Sequence, residues 1–211
     1  LATSSAASDV YKRQLLERQA KVDDPEILPK VDLNDVPKDV HFPAFSTDTV
    51  NQQSYTFYPQ GTNGLTYRQV VTSLPQLSEQ EHLLLPVYDR IKTEVGVGDK
   101  DYLDTQDWQT AVCGGISSYS TMRSASDDVQ QVSGYHILSS KGLATRSDDI
   151  DQLTYDTFFN ARFDEQQRLA ELISQSAARA EQSVTGNGHR LAIGIACQGM
   201  SPLSRLSHAT S

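Results

Sequence analysis

The stretch SEQEHLLLPVYDRIKTEVG, residues 78–96, decides the class of fold. Ser78 followed three positions later by Glu81 is the signature of a reciprocal cap at a helix start, and Leu84, Val87, Tyr88, Ile91 and Val95 recur at the spacing of one helical face. This predicts an amphipathic helix that stops at Gly96, with Pro86 imposing a kink or a later start. A second helix follows, capped by Asp101, with Leu103, Trp108, Ala111 and Val112 inward and the Gly114-Gly115 pair as its end. Strand-like alternation flanks the two helices, over residues 50–58 and 65–72 before them and 116–123 and 129–139 after them. Asn63-Gly64 lies between the first two runs and predicts a hairpin that joins them, because both turn positions need positive φ. Helical patterns over 148–160, 164–184 and 189–198 close the chain. The order ββααββ and then helices reads as α+β, an antiparallel sheet with helices on one face.

Composition bounds the function. The chain has 211 residues, 37% of them hydrophobic, and a net charge of −9 with no Lys/Arg cluster, so nucleic acid is excluded as a partner. No apolar run approaches a membrane span, which excludes a membrane partner and predicts a soluble protein. Cys113 and Cys197 form neither a disulfide framework nor a CxxC pair, so a reducing compartment is expected, cytoplasm or organelle matrix. Residues 1–14, LATSSAASDVYKRQ, show no hydrophobic period and are expected to be a non-native leader, DVYKRQ looking like a translated sequencing adapter. Residues 15–46 carry Pro25, Pro29, Pro37 and Pro43 and are expected to form an extended connector. Residues 47–211 are then the α+β domain, expected to be cut short at its C-terminal end.

Candidate chemistry is sparse. His41, His82, His136, His189 and His208 are scattered, and no HExxH or HxxEH spacing occurs. His136, inside a strand, reads as a satisfied half-buried side chain. Asp127-Asp128 and Asp148-Asp149 stand where turns and helix starts need caps. The GGISS run at 114–118 lacks the G-x-S-x-G pattern of a nucleophile elbow, and GVGDKD at 96–101 lacks the ending of a phosphate loop.

Taken together, YPQGTNGLTYRQVV, LPVYDRIKTEVGVGDKDYLD and TAVCGGIS resemble the C-terminal half of the presequence proteases, a branch of the insulysin and pitrilysin group of zinc metallopeptidases. That group carries TNG-[IV]-x-Y, here Thr62 to Tyr67 with Leu65 as the variant residue. It also carries G-x-G-x-x-x-Y, here Gly96, Gly98 and Tyr102, and a GGIS strand, here Gly114, Gly115, Ile116 and Ser117. VDLNDVPKDV at 31–40, GHRLA at 188–192 and MSP at 200–202 extend the likeness. The resemblance implies a clamshell of four related α+β domains in which only the first holds the zinc motif HxxEH. This chain would supply the connector and the third domain, a non-catalytic wall of the peptide chamber. The metal register would fall near Val87, Tyr88, Asp89, Arg90 and Ile91, where none of the two His and one Glu remains. No cofactor and no catalytic or metal residue is therefore expected in this chain, with zinc in the parent's N-terminal half. The partners implied are that catalytic half of the same polypeptide and peptide substrates. Gly114, Gly115, Ile116 and Ser117 stand as a possible substrate-pairing edge strand. The alternatives are a non-catalytic scaffold or assembly subunit of the same fold, or a free-standing peptide-binding module.

Overall fold

The computed structural model describes residues 2–20 and 28–210, with side chains from residue 10 onward. Its contacts divide the chain into two units, residues 1–60 and 61–211.

In the first unit, α1 spans Ala2–Ala20. The helix runs straight through the point between Gln14 and Leu15 where only the later residues were expected to be helical. Its cause is intrinsic propensity, since Ala, Lys, Arg, Gln, Leu and Glu dominate residues 11–20. No apolar stripe forms, and Tyr11, Leu15 and Leu16 all remain exposed. The prolines at 29, 37 and 43 fall in a segment without helix or strand up to Ser46, apart from a turn in which Asp35 N–H donates to the Asp32 carbonyl at 3.1 Å. Pro25 lies outside the described residues. Strands β1 (Ser46–Val50) and β2 (Gln53–Phe57) pair antiparallel. Asn51 and Gln52 connect them with φ of 50° and 66°, a two-residue turn of the kind hairpins require.

This pairing corrects one expectation. The strand before Asn63-Gly64 pairs backward with β1, while β3 (Leu65–Ser73) joins β5 (Val132–Leu143), so no hairpin spans the Asn-Gly turn. The turn itself is real: Asn63 and Gly64 have φ of 52° and 78°, and Leu65 N–H closes it on the Thr62 carbonyl at 3.1 Å. Its work is to aim the chain into β3.

The second unit holds a three-stranded antiparallel sheet of order β3-β5-β4, with β4 at Gly115–Ser124. Between β3 and β4 come α2 (Glu79–Ile91) and α3 (Tyr102–Val112). After β5 come a single 3-10 turn, α4 (Ser147–Phe159), α5 (Gln166–Gly186), α6 (Gly188–Cys197) and α7 (Pro202–Ala209). The reciprocal cap of Ser78 and Glu81 forms, and α2 continues through Pro86 as one helix. The Ser78 backbone N–H holds the Glu81 carboxyl below its ordinary value, so this support is present above the usual carboxylate range and fades as pH falls through the lowered value. The second helix ends on an extended Cys113, not on a left-handed glycine, and Gly114 N–H already donates to the Lys141 carbonyl at 2.8 Å.

Side chains of one sheet face, Ile116, Ser118, Ser120, His136, Leu138 and Ser140, meet α2, α3 and α4. Two apolar clusters result. Val112, Ile150 and Leu153 pack with Trp108 and Ile116 under α3 and α4, and Ile91, Val95 and Leu172 join α2 to α5. Strand β5 runs four residues past its expected end because Gly142 has no side chain, so the Ile150 side chain can close on it. A Cβ there would sit 2.7 Å from Ile150 Cδ1. The opposite face presents Tyr67, Val71 and Tyr119, which are 61%, 56% and 40% exposed.

The segment from Glu94 to Tyr102 is held by the chain that precedes and opens α5. Glu165 accepts from Gly96 N–H at 2.7 Å with one oxygen and from Tyr102 N–H at 3.1 Å with the other. Gly98, at φ +61°, donates to the Asn160 carbonyl at 2.9 Å, and Arg162 N–H donates to the Gly96 carbonyl at 2.8 Å. Arg168 bridges the Glu94 carbonyl and carboxylate at 3.2 and 3.1 Å while its guanidinium lies 4.5 Å from the Tyr102 ring centre. The G-x-G-x-x-x-Y spacing is the imprint of this clamp. A Cβ at Gly96 would approach the Lys100 carbonyl oxygen to 2.5 Å, a backbone atom that cannot swing aside. Gly96→Ala is expected to cost about 1–3 kcal/mol in urea unfolding; a loss under about 0.5 kcal/mol, the scatter of neutral surface changes, would contradict the clamp.

Candidate functional site

The most polar buried cluster lies where α2 crosses the sheet. Asp89 falls one turn after Leu85 on the helix side that faces β4, and it is 8% exposed. Its Oδ1 accepts from His136 Nδ1 at 3.1 Å, from Ser120 Oγ at 3.1 Å and, at longer range, from Ser118 Oγ at 3.5 Å. Strand alternation places both serines on this face, and the register sets Ser120 directly beside His136. Next to it, Lys92 donates from Nζ to Tyr88 Oη at 2.7 Å and lies over the Tyr88 and Phe158 rings at 5.1 and 4.6 Å. The His136 ring sits between those same two rings, at 5.6 and 6.1 Å.

Donor and acceptor assignments limit the chemistry. A neutral His136 that donates through Nδ1 leaves Nε2 as an acceptor, and this atom is buried without a hydrogen-bond partner, as is Thr157 Oγ1. The serine hydroxyls bond the carboxylate and not the imidazole, so no serine is activated as in a Ser-His-Asp triad. Of the register expected to match the zinc motif, Asp89 is committed to His136 and Ser120, Ile91 is in the core and Arg90 is exposed. Among the described residues no group of three or more His, Cys, Asp and Glu side chains could hold a metal ion. These residues do not fit zinc, and no chemical step is routed through it.

The other sequence candidates fall apart from this cluster. Gly114 precedes and Gly115, Ile116 and Ser117 open β4, an outer strand of the sheet. Ile116 packs into the apolar cluster of α3 and α4, while Gly115 and Ser117 are exposed. Asp101 caps α3 by accepting from Asp104 N–H at 2.9 Å, and Asp148 and Asp149 occupy the first turn of α4. Asp128 accepts from Gln130 N–H at 2.9 Å in the β4-β5 turn. Sequence reading missed Asp89, Lys92 and the serine pair. A charged residue one turn from Leu85 on an apolar helix face was the visible signal.

This α+β unit, with three helices against one sheet face and no metal ligands assembled among the described residues, matches a known class. Residues 6–211 match the family model of the region associated with the peptidases of metallopeptidase family 16, subfamily C, and the chain belongs to that family. A mitochondrial presequence protease of Danio rerio is 25% identical over 211 residues, covering 99% of this chain and 21% of its own length. Presequence protease 1, chloroplastic/mitochondrial, of Arabidopsis thaliana is 28% identical over 185 residues, covering 85% and 17%. The mitochondrial presequence protease of Mus musculus is 24% identical over 198 residues, covering 92% and 19%. The chain thus spans about a fifth of the length of the curated relatives it matches. Among the described residues no helix is long and apolar enough to cross a membrane.

Asp89 ties α2 to two strands, so its removal should be felt in stability. Asp89→Ala strands His136 Nδ1 and two hydroxyls, and is expected to cost about 3 kcal/mol or more in urea unfolding. Ser118→Ala, which removes only the longest bond, should cost less than about 1 kcal/mol. Equal losses in the two variants would show that the cluster is not organised around the carboxylate.

Proposed function

We propose that this chain is the non-catalytic part of a zinc metalloendopeptidase that degrades peptides, and that its sheet forms one wall of the peptide chamber. The observation that carries the reading is the two-sided sheet. One face is filled by α2, α3 and α4, while the other offers Tyr67, Val71 and Tyr119 beside Gln69, whose side-chain amide reaches Tyr119 Oη at 3.2 Å. Aromatic rings with hydrogen-bonding tips suit an extended peptide, which presents apolar side chains and backbone polar groups together. The family and the names of its relatives supply the peptidase context, and those names make an organelle matrix the expected compartment. Strand β4, with Gly114, Gly115, Ile116 and Ser117 at its start, is an outer strand of the sheet and offers a substrate an edge for strand addition. Zinc and the hydrolytic residues belong, in this reading, to the preceding half of the polypeptide.

The test is made in the parent protein. Its upstream sequence is expected to contain HxxEH, and peptide cleavage by the intact protein is expected to fall at least about a hundredfold when residues 61–211 are deleted, the scale of losing substrate positioning. Absence of HxxEH would favour a scaffold subunit of the same fold, and unchanged cleavage after the deletion would remove the wall role. This chain alone is expected to purify without stoichiometric zinc and to cleave no peptide. Chelator-sensitive cleavage by it would overturn the assignment.

A further inference from the structure

A cavity of about 410 Å³ opens between α2 and β4. Its size falls in the range of binding pockets. Leu85, Pro86 and Met122 supply apolar walls, and the buried Asp89 carboxylate with the Ser118 and Ser120 hydroxyls supplies the polar part. Ser118, Tyr119 and Ser120 are consecutive in a strand, where side chains alternate between faces. All three line the cavity, so it reaches around the outer edge of β4.

We infer that this cavity receives the Arg or Lys side chain of a peptide paired along the edge of β4. The charge balance points to a cation. Asp89 is joined to a histidine that can donate while neutral, and to two hydroxyls that also donate, so the carboxylate keeps its negative charge. Its second oxygen, Oδ2, has no hydrogen bond among the described residues. A carboxylate with apolar walls around it binds a guanidinium or ammonium head while the walls take the aliphatic stem. Arg90, exposed at the rim, is the only basic side chain lining the cavity among the described residues and stands at the mouth, so the floor stays anionic. The geometry of strand addition supplies the rest: a peptide on this edge sends every second side chain toward the helix-covered face, the side on which Asp89 lies. The inference rests on β4 acting as a peptide-pairing edge and adds the side-chain class that the edge prefers.

The test uses the full chain and two capped five-residue peptides, Val-Thr-Arg-Thr-Val and the same peptide with citrulline, the neutral isostere, in place of arginine. Binding is followed by amide NMR shifts at low salt. The arginine peptide is expected to bind at least about tenfold tighter, the scale of one hydrogen bond to a charged group, with shifts concentrated at residues 118–122 and 85–90. Asp89→Asn is expected to abolish the preference. The comparison of the two peptides on the unaltered chain stands even if that variant does not fold. Equal binding of both peptides at β4 would overturn the cavity while leaving the edge intact. Binding of neither, or shifts elsewhere, would overturn both.

Discussion

Everything in the second unit depends on the Glu165 carboxylate. With one oxygen on Gly96 N–H and the other on Tyr102 N–H, it joins the exit of the α2 segment to the entry of α3. The two donors are backbone groups that a loop would otherwise leave unpaired, and pairing them with one ionised group is worth more than two neutral bonds. Because Glu165 immediately precedes α5, the same bonds dock that helix where Leu172 reaches Ile91 and Val95. Arg162 and Arg168 reinforce the junction from both sides, Arg162 also pairing with Asp164 and holding its carboxyl below the ordinary value. A polar clamp thereby fixes the angle at which α2 and α3 meet the sheet.

That angle decides what the sheet can offer. With α2 set over β4, Asp89 reaches His136 and the serine pair, and the helices occupy one face completely enough that Leu138 is fully buried. The second face is left with aromatic side chains at its surface, and β4 is left as an outer strand. A fold related to a catalytic domain can in this way lose its metal ligands and keep a peptide-facing surface, because the surface is made by sheet and helix placement and not by the ligands.

The degree to which the chain was legible follows from the range of each interaction. Helices α2 to α6 and the two longer strands are written in local signals, namely periodicity, the Ser78 and Asp101 caps, and glycine stops, and they form within a few residues of the expected limits. The polar strand β1 and the stripe-free helix α1 carry no such pattern, the first formed by pairing and the second by propensity alone. The Asn63-Gly64 turn was visible, but which strands flank a turn as partners is settled by contacts as distant as Leu65 with Leu143. Asp89 and His136 are 47 positions apart, and no spacing rule connects a helix aspartate to a strand histidine. Family likeness supplied what local patterns could not, because motifs such as G-x-G-x-x-x-Y record the clamp without revealing its partner, Glu165.

If the face of Tyr67 and Tyr119 looks inward in the parent protein, its accessibility must change between the isolated chain and the whole. Single cysteines at these two positions, in a background with Cys113 and Cys197 replaced by serine, can be reacted with a bulky maleimide polymer in this chain and in the intact parent. Rapid labelling of both positions is expected in the isolated chain and strong protection of both in the closed parent, with Leu33→Cys as an exposed reference in the isolated chain. Equal labelling rates at Tyr67→Cys and Tyr119→Cys in the two contexts would contradict an inward-facing wall.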